Sequence, residues 1–253
     1  MALYLIGAGL YSEKDITIRG LELLKRSDEI LLEGYTSVSS IDLKKLEQMC
    51  GRKVRLVDRD LMEQGSSEIL KNARNKNVSI LIVGDPLSAT THFSLIEEAE
   101  LNGIKTEIVH NASVITAVGI TGLQLYKFGK ITSIPFPSEK YEIETPYEVL
   151  AENLSIRAHT LMLLDLNPQQ KKFLTANQAI EYMLNLEEKK GKGIFRRETK
   201  IVVCARLGSP DFTVRYGRAD SLISEDFGSP PHCIIVPSQL HFTEEENLKK
   251  WEI

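Results

Sequence analysis

The stretch that most constrains this fold is an apolar run that ends in a tight polar turn. Residues Val78–Val83 are almost all apolar and rich in Val and Ile, and Gly84-Asp85-Pro86 follows them directly. A short run of this kind that stops at Gly and Pro is typical of a buried strand. Ligands of α/β proteins bind beyond the carboxyl ends of such strands. Two interpretations of Gly84-Asp85-Pro86 follow, a rigid ligand-binding turn and an ordinary structural turn.

Strand and helix patterns alternate on both sides of this run. Strands are predicted at 3–7, 29–33, 53–57, 78–83 and 105–109, and helices at 41–49, 66–75 and 91–102. A further helix follows the first strand, with Asp15 or Thr17 as its cap and Ser27 at its end. The βαβ alternation predicts a largely parallel sheet in the first half of the chain.

The second half has fewer helices for each strand, which predicts a mixed sheet. An apolar helix is expected over Val114–Leu125, which includes Gly119 and Gly122, and a charged helix over Thr243–Trp251. The expected strands are 159–164, 200–205, 212–216 and 233–236, the third of them antiparallel. The polar junction at His110–Ser113 marks a boundary near Ala112. We therefore predict two α/β domains, 1–111 and 112–253, the first with a largely parallel sheet and the second with a mixed sheet.

Composition and charge argue against nucleic-acid and membrane partners. The formal net charge of -4 argues against a nucleic-acid partner, because backbone binding needs a basic surface. No apolar run approaches the ~18 residues of a membrane span, and Met1 leads into an apolar segment without a basic leader, so we expect a cytoplasmic protein and no membrane partner. Cys50, Cys204 and Cys233 lack ligand spacing and are interpreted as reduced, buried thiols rather than metal ligands.

A glycine loop follows the first strand. Gly7-Ala8-Gly9-Leu10 resembles the start of a dinucleotide fingerprint, but Ser12 stands where the third glycine would be. The chain has no P-loop motif either. The loop is predicted to face the same sheet edge as Gly84-Asp85-Pro86. A pocket bounded by both has backbone groups, one carboxylate and few positive charges, which suits an amine, a ribose and a ring better than phosphates. A plain strand-to-helix connection is the alternative.

The five histidines show no metal-binding spacing, and the sequence contains no G-x-S-x-G elbow. His110 and His159 lie at predicted strand edges and are interpreted as structural, hydrogen-bonded histidines. His232 follows Pro230-Pro231 at the start of a strand, where it could lie beside a ligand ring. Metal catalysis and serine hydrolysis therefore have no support.

Several of these segments resemble one family. Leu5–Leu10, Gly84-Asp85-Pro86, His110–Val114 and Gly119–Gly129 are similar to the S-adenosylmethionine-dependent methylases of the tetrapyrrole methylase superfamily. Within that superfamily, the sequence resembles the diphthine synthases more closely than the other members. The segments that carry it are Asp85–His92, Gly122–Gly129, Asp226-Phe227-Gly228 and Pro230-Pro231-His232, and the resemblance extends from Ala2 to about His241.

The resemblance implies two α/β domains with S-adenosyl-L-methionine in the cleft between them, S-adenosyl-L-homocysteine as product, and a homodimer. It also implies successive methylation of the amino group of a modified histidine on translation elongation factor 2. The cofactor-binding residues implied are Leu10, Asp85, Ser88, Ser113, Val114, Leu164, Leu207 and His232. Ser88 departs from the family, where a small apolar residue is expected.

Within this interpretation Asp85 holds the cationic cofactor, and aligning a neutral amine with the methyl group supplies most of the catalysis. Asp165, at the end of a predicted strand, is the candidate that attracts the substrate ammonium or takes its proton; ordering a turn is its alternative role. Other functions stay open here: a methylase of corrin precursors or ribosomal RNA, and a non-catalytic nucleotide-binding module that shows no turnover.

Overall fold

The computed structural model describes residues 1–34, 40–57, 66–89, 92–138, 142–168 and 170–253. The chain forms two compact units, Met1–Val114 (unit 1) and Ile115–Ile253 (unit 2). The predicted boundary after Asn111 lies shortly before that division. Among the described residues, no helix combines the length and the apolar character that crossing a membrane requires.

Unit 1 is built on a five-stranded parallel sheet with the strand order β3-β2-β4-β1-β5. The strands are β1 (Ala2–Gly7), β2 (Glu29–Glu33), β3 (Val54–Val57), β4 (Asn77–Ile82) and β5 (Lys105–Val109). The apolar run that was predicted as a buried strand is β4, in the middle of the sheet, and Ile80 and Leu81 are fully buried there. The prediction of a parallel sheet is therefore confirmed.

The helices of unit 1 connect these strands and cover the sheet. They are α1 (Ile18–Arg26), α2 (Leu43–Cys50), α3 (Ser66–Ala73) and α4 (Phe93–Leu101). Thr17 caps α1 by accepting a hydrogen bond from the backbone N–H of Gly20, whereas Asp15 belongs to a preceding 3-10 turn. Helix α4 begins at Phe93, and Thr91, where that helix was predicted to begin, lies outside the described residues. Two apolar cores result, one containing Leu5 and Ile80 and the other Ile6 and Leu81.

The parallel arrangement places the carboxyl ends of all five strands at one edge of the sheet. The loop after β1 and the turn after β4 therefore lie side by side, because β1 and β4 are paired neighbours. The chain that leaves β5 begins at the same edge, since β5 pairs with the other side of β1. Unit 1 thus has one edge where several predicted site residues meet.

Unit 2 contains a mixed sheet, as predicted, with the order β11-β10-β12-β7-β6. Its strands are β6 (Thr132–Ile134), β7 (Thr160–Leu164), β10 (Lys200–Ala205), β11 (Thr213–Arg218) and β12 (His232–Val236), while β8 (Leu166–Asn167) and β9 (Lys172–Phe173) pair separately. Strands β6 and β7 run parallel, and the other neighbours in the five-stranded sheet run antiparallel. The helices are α5 (Val114–Ala117, at the division between the units), α6 (Thr145–Ser155), α7 (Ala176–Lys190), α8 (Ala219–Leu222) and α9 (Phe242–Leu248).

The prediction of one helix over Val114–Leu125 is wrong. The segment is a short helix, α5, followed by 3-10 turns at Val118–Thr121 and Leu125–Lys127. Gly122 separates the two turns with φ of +90°, and a Cβ atom there would lie 2.2 Å from Cβ of Asn247. The chain turns at Gly122 because only glycine both adopts this conformation readily and leaves room for the neighbouring segment.

Helix α9 is fixed to unit 2 by a buried carboxylate, Glu244. Its Oε1 accepts hydrogen bonds from the backbone N–H of Gln124 at 2.9 Å and from Nε2 of His159 at 3.0 Å. Its Oε2 accepts from Nζ of Lys127 and from the backbone N–H of His241 at 2.8 Å. Burial alone would raise the pKa of Glu244, but these donors outweigh it and lower the pKa to about 2.

His159, on the other side of this contact, is fully buried. Its Nδ1 accepts a hydrogen bond from the backbone N–H of Ser238 at 2.9 Å, so Nε2 carries the hydrogen that is donated to Glu244. Burial lowers the pKa of His159 despite the neighbouring carboxylate. The interpretation of His159 as a structural histidine is confirmed.

Candidate active site

The loop after β1 and the turn after β4 are joined through their backbones. Gly84 N–H donates to the carbonyl of Gly9 at 2.7 Å, and Gly9 N–H donates to the carbonyl of Gly84 at 3.2 Å. The N–H of Ala8 also donates to the carbonyl of Ile82 at 2.7 Å. The two glycine-containing segments thus form one continuous surface at the carboxyl edge of the sheet, as the sequence predicted.

Gly9 has a conformational reason to be glycine. Its φ is +78°, and a Cβ atom would lie 2.4 Å from Cβ of Asp15. The carboxylate of Asp15 in turn accepts hydrogen bonds from the backbone N–H groups of Tyr11 and Ser12, at 2.8 and 3.1 Å. The loop therefore folds tightly back on itself before α1 begins, which explains how it stays compact without the third glycine of a dinucleotide fingerprint.

Asn111 links the loop after β1 to the end of β5. Its Nδ2 donates to the carbonyl of Gly7 at 2.8 Å and to the carbonyl of Asp15 at 3.0 Å, and its Oδ1 accepts from the N–H of Ala112 at 2.8 Å. In the sequence, Asn111 is recognisable only as part of the polar junction at His110–Ser113. Its position directly after β5, beside the glycine loop of the neighbouring strand, is the feature from which its contact with that loop could have been predicted.

Asp85 is the centre of the turn after β4. It is 8 % exposed, and its Oδ1 accepts from the N–H of Leu87 at 2.9 Å and from Oγ of Ser88 at 3.3 Å. Its Oδ2 accepts from Nδ1 of His110 at 2.8 Å and from the N–H of Asn111 at 3.1 Å. Burial would raise the pKa of Asp85, but the hydrogen bonds from Leu87, Asn111 and His110 outweigh it and the pKa is lowered. Asp85 is therefore a buried anion.

The four donors occupy the hydrogen-bonding positions that a carboxylate offers. Asp85 thus places a negative charge below the sheet edge and fixes the turn to the end of β5. The expected contact between Asp85 and a cationic cofactor stays a prediction. Because its acceptor positions are filled, Asp85 would stabilise the cofactor through its negative charge and through the shape of the turn that it holds.

The other unit 1 residues predicted to bind the cofactor lie at the same edge. Leu10 is half-buried and follows Gly9 in the glycine loop, and Ser88 is half-buried in the turn after β4. Ser113 is buried after β5, and Val114 is half-buried at the start of α5. Backbone groups, hydroxyls, apolar side chains and one buried anion fit a ligand that is cationic and partly apolar.

The unit 2 residues predicted to bind the cofactor share an edge of the mixed sheet. Leu164 ends β7, His232 begins β12, and Leu207 follows β10; all three are buried. Because β12 pairs antiparallel with both β7 and β10, its beginning lies beside the ends of its two neighbours. The structure thus brings together the three residues that the family resemblance selected in this unit.

His232 is held by backbone groups on both sides of its ring. Nδ1 accepts from the N–H of Ala176 at 3.2 Å, so Nε2 carries the hydrogen and faces the carbonyls of Gly228 and Ser229 at 3.1 and 3.2 Å. Burial is the main cause that lowers the pKa of His232. Both ring nitrogens are therefore occupied by the fold, and the predicted contact with a ligand would use the ring face or the backbone.

Asp165 directly follows Leu164 at this edge and is exposed. Its Oδ1 accepts from the N–H of Leu166 at 2.9 Å and its Oδ2 from the N–H of Phe136 at 3.3 Å. Its own N–H donates to the carbonyl of Ile134 at 3.0 Å. These contacts are those of a residue that orders a turn, and a part for Asp165 in catalysis stays a prediction.

In the described ranges, no three His, Cys, Asp or Glu side chains come together in a way that would hold a metal ion. Cys50, Cys204 and Cys233 are all buried and free of disulfides.

Comparisons with known proteins agree with the fold of each unit. Residues 2–223 match the family model described as Tetrapyrrole (Corrin/Porphyrin) Methylases. The chain is 45 % identical to the diphthine synthase of Methanocaldococcus jannaschii over 250 residues, which covers 98 % of this chain and 97 % of that protein. It is 43 % identical to the diphthine synthase of Methanococcus aeolicus over 246 residues, covering 97 % and 96 % of the two chains. A crystal structure of a diphthine synthase superposes with a TM-score of 0.90 at 35 % identity, covering 100 % of this chain and 96 % of that one.

Proposed function

Because this chain belongs to the tetrapyrrole methylase family and, within it, to the diphthine synthases, we propose that it methylates the modified histidine of translation elongation factor 2. Diphthine synthases are the methyltransferases of diphthamide biosynthesis. The proposed acceptor is the amino group of the modified side chain, which is methylated in successive transfers. The proposed donor is S-adenosyl-L-methionine, which leaves as S-adenosyl-L-homocysteine.

The observation that best supports the donor is the joined loop and turn at the carboxyl edge of the unit 1 sheet. Gly9 and Gly84 bring backbone groups together there, and Asp85 places an anion beneath them. When bound, S-adenosylmethionine supplies a methyl group on a positively charged sulfur, and the buried anion favours that charge. We propose Leu10, Ser88, Ser113 and Val114 as its further contacts in unit 1, and in unit 2 Leu164, Leu207 and His232.

The experiment that tests this function uses the protein substrate itself. Elongation factor 2 that carries the unmethylated histidine modification is incubated with the chain and S-adenosylmethionine, and the factor is weighed by mass spectrometry. We expect the mass of added methyl groups. Factor with an unmodified histidine is the control and should gain none, because it lacks the acceptor amine. No added methyl mass on the modified factor would refute the proposal.

We also propose that the chain works as a homodimer in the cytoplasm, where its protein substrate acts in translation. Support for self-association comes from apolar side chains on the surface of unit 2: Ile120, Leu125 and Tyr126 are 46, 43 and 82 % exposed. Contiguous exposed apolar residues are typical of interaction surfaces. Light scattering during size-exclusion chromatography tests this, and a mass of a single 28.5 kDa chain would contradict it.

A further inference from the structure

A buried carboxylate and an exposed imidazole are paired at the carboxyl edge of the unit 1 sheet. Oδ2 of Asp85, in the turn after β4, lies 2.8 Å from Nδ1 of His110, directly after β5. The Asp85 side chain is 9 % exposed, whereas the His110 side chain is 68 % exposed. Because a carboxylate only accepts hydrogen bonds, Nδ1 carries the hydrogen, and Nε2 is the basic nitrogen of the neutral ring.

The hydrogen bond between Asp85 and His110 is not needed to hold the turn after β4 in place. The N–H groups of Leu87 and Asn111 already fasten the carboxylate to the turn and to the chain after β5. None of the described residues hydrogen-bonds to Nε2 of His110, which leaves that nitrogen open to a ligand. A carboxylate that fixes Nδ1 while Nε2 faces outwards is the arrangement that orients an imidazole as a general base.

We propose that His110 is the general base of the methyl transfer and that Asp85 is the positioning residue that fixes its ring. This inference rests on the proposed function, since it assumes an amine as the acceptor. An N–H bond of the substrate ammonium breaks, its electron pair stays on the substrate nitrogen, and the proton moves to Nε2. The proton then leaves to water from the exposed ring.

Repeated methylation requires that the substrate nitrogen lose a proton before each transfer to an ammonium. An ammonium nitrogen has no lone pair, so it cannot accept a methyl group until it has lost a proton. The product of a transfer to a neutral amine that still bears hydrogen is again an ammonium, and a further transfer needs a further deprotonation. An exposed Nε2 returns its proton to solvent between transfers, which a buried base does less readily.

The charged surroundings of His110 bear on any pH profile. Asp85 is the ionised group that hydrogen-bonds to it. The carboxylate of Asp15 is directed to its own loop, and Glu107 pairs with Arg19 at 2.9 Å. The other ionisable side chains on the elements around the end of β5 are Tyr11, Glu13 and Lys14 in the loop after β1, Glu22, Lys25 and Arg26 on α1, His92, Glu97, Glu98 and Glu100 on or beside α4, and Lys105 on β5.

Two substitutions distinguish a general base at position 110 from a residue that only donates a hydrogen bond to Asp85. His110→Asn keeps an N–H donor for Asp85 but has no basic nitrogen, whereas His110→Ala removes both. If His110 is the base, both variants lower kcat by about 100-fold or more at neutral pH while cofactor affinity measured by calorimetry is unchanged. The rate of His110→Asn should then keep rising about tenfold per pH unit, because the substrate must lose its proton unaided. Added imidazole should restore part of the rate of His110→Ala.

A control and a second readout complete the test. His241→Asn replaces an exposed histidine in unit 2 with another N-capping residue and should keep the wild-type rate. In the protein alone, ¹⁵N NMR of the histidine side chains should show His110 with hydrogen on Nδ1 and none on Nε2 in the neutral form.

A His110→Asn variant with the wild-type rate and pH profile would overturn this inference alone, as would a neutral ring with hydrogen on Nε2. Wild-type chain that transfers no methyl group would instead overturn the proposed function, and this step with it.

Discussion

Replacing Glu244 by Gln should destabilise unit 2 by about 3 kcal/mol at neutral pH. Glu244 is fully buried and accepts hydrogen bonds from Gln124, Lys127, His159 and His241. The lowering of its pKa from 4.5 to about 2 corresponds to about 3 kcal/mol of stabilisation. An amide cannot accept at both positions, so its NH₂ group would face two of these donors.

The pH dependence follows from the sign of the shift. A carboxylate whose pKa is lowered by folding contributes its full stabilisation above pH 4.5, the ordinary value. That contribution is lost as the pH falls from 4.5 through about 2. The free energies of unfolding of the wild type and of Glu244→Gln should therefore differ most at neutral pH and converge in acid.

Urea unfolding followed by the fluorescence of Trp251 measures this effect in the relevant unit. Trp251 is the single tryptophan of the chain and lies in the 3-10 turn directly after α9, with its ring centroid 6.3 Å from that of Phe212. Glu245→Gln, an exposed position on the same helix, is the matched control and should change stability by no more than ~0.5 kcal/mol. Equal effects of the two substitutions at neutral pH, or a difference that persists unchanged in acid, would refute the reasoning.

Three other substitutions test the site and the turn at Gly122. Asp85→Ala should weaken binding of S-adenosylmethionine in calorimetry and destabilise unit 1 by roughly 1–3 kcal/mol, because the N–H groups of Leu87 and Asn111 lose their acceptor; unchanged affinity would show that Asp85 does not contribute to cofactor binding. Asp165→Asn should keep wild-type turnover if the carboxylate only orders its turn, and a large loss of kcat would instead support its part in catalysis. Gly122→Ala should destabilise unit 2 by about 1 kcal/mol or more, measured by Trp251 fluorescence, because of its φ of +90° and the closeness of Asn247.

The fold could be predicted where one residue pattern determines it. The apolar run at Val78–Val83 has the composition of a strand buried on both faces, and the structure places it in the middle of a parallel sheet. Thr17 could be recognised as a cap because the capping contact is local. The segment Val114–Leu125 could not be predicted correctly, since the turn at Gly122 depends on Asn247, which is far away in the sequence.

The candidate site also has features that could be predicted from the sequence and features that could not. The glycine loop and Gly84-Asp85-Pro86 could be placed at one edge because the carboxyl ends of parallel strands meet there. The hydrogen bonds that fill the carboxylate of Asp85 could not be read from the sequence, because His110 and Asn111 reach it from another strand. His110 is interpreted from the sequence as a structural, hydrogen-bonded histidine because it lies at a predicted strand edge, and the structure identifies Asp85 as its hydrogen-bond partner.

The buried contact of Glu244 also determines the order in which the two units can fold during synthesis. The strands of unit 1 end at Val109, so its sheet can assemble while the second half of the chain is still being translated. In contrast, the partner of His159 and Lys127 is Glu244, which lies 85 and 117 residues further along the chain. Unit 2 therefore completes this part of its interior only after α9 has been synthesised, so the buried contacts of Lys127 and His159 form late in the folding of the chain.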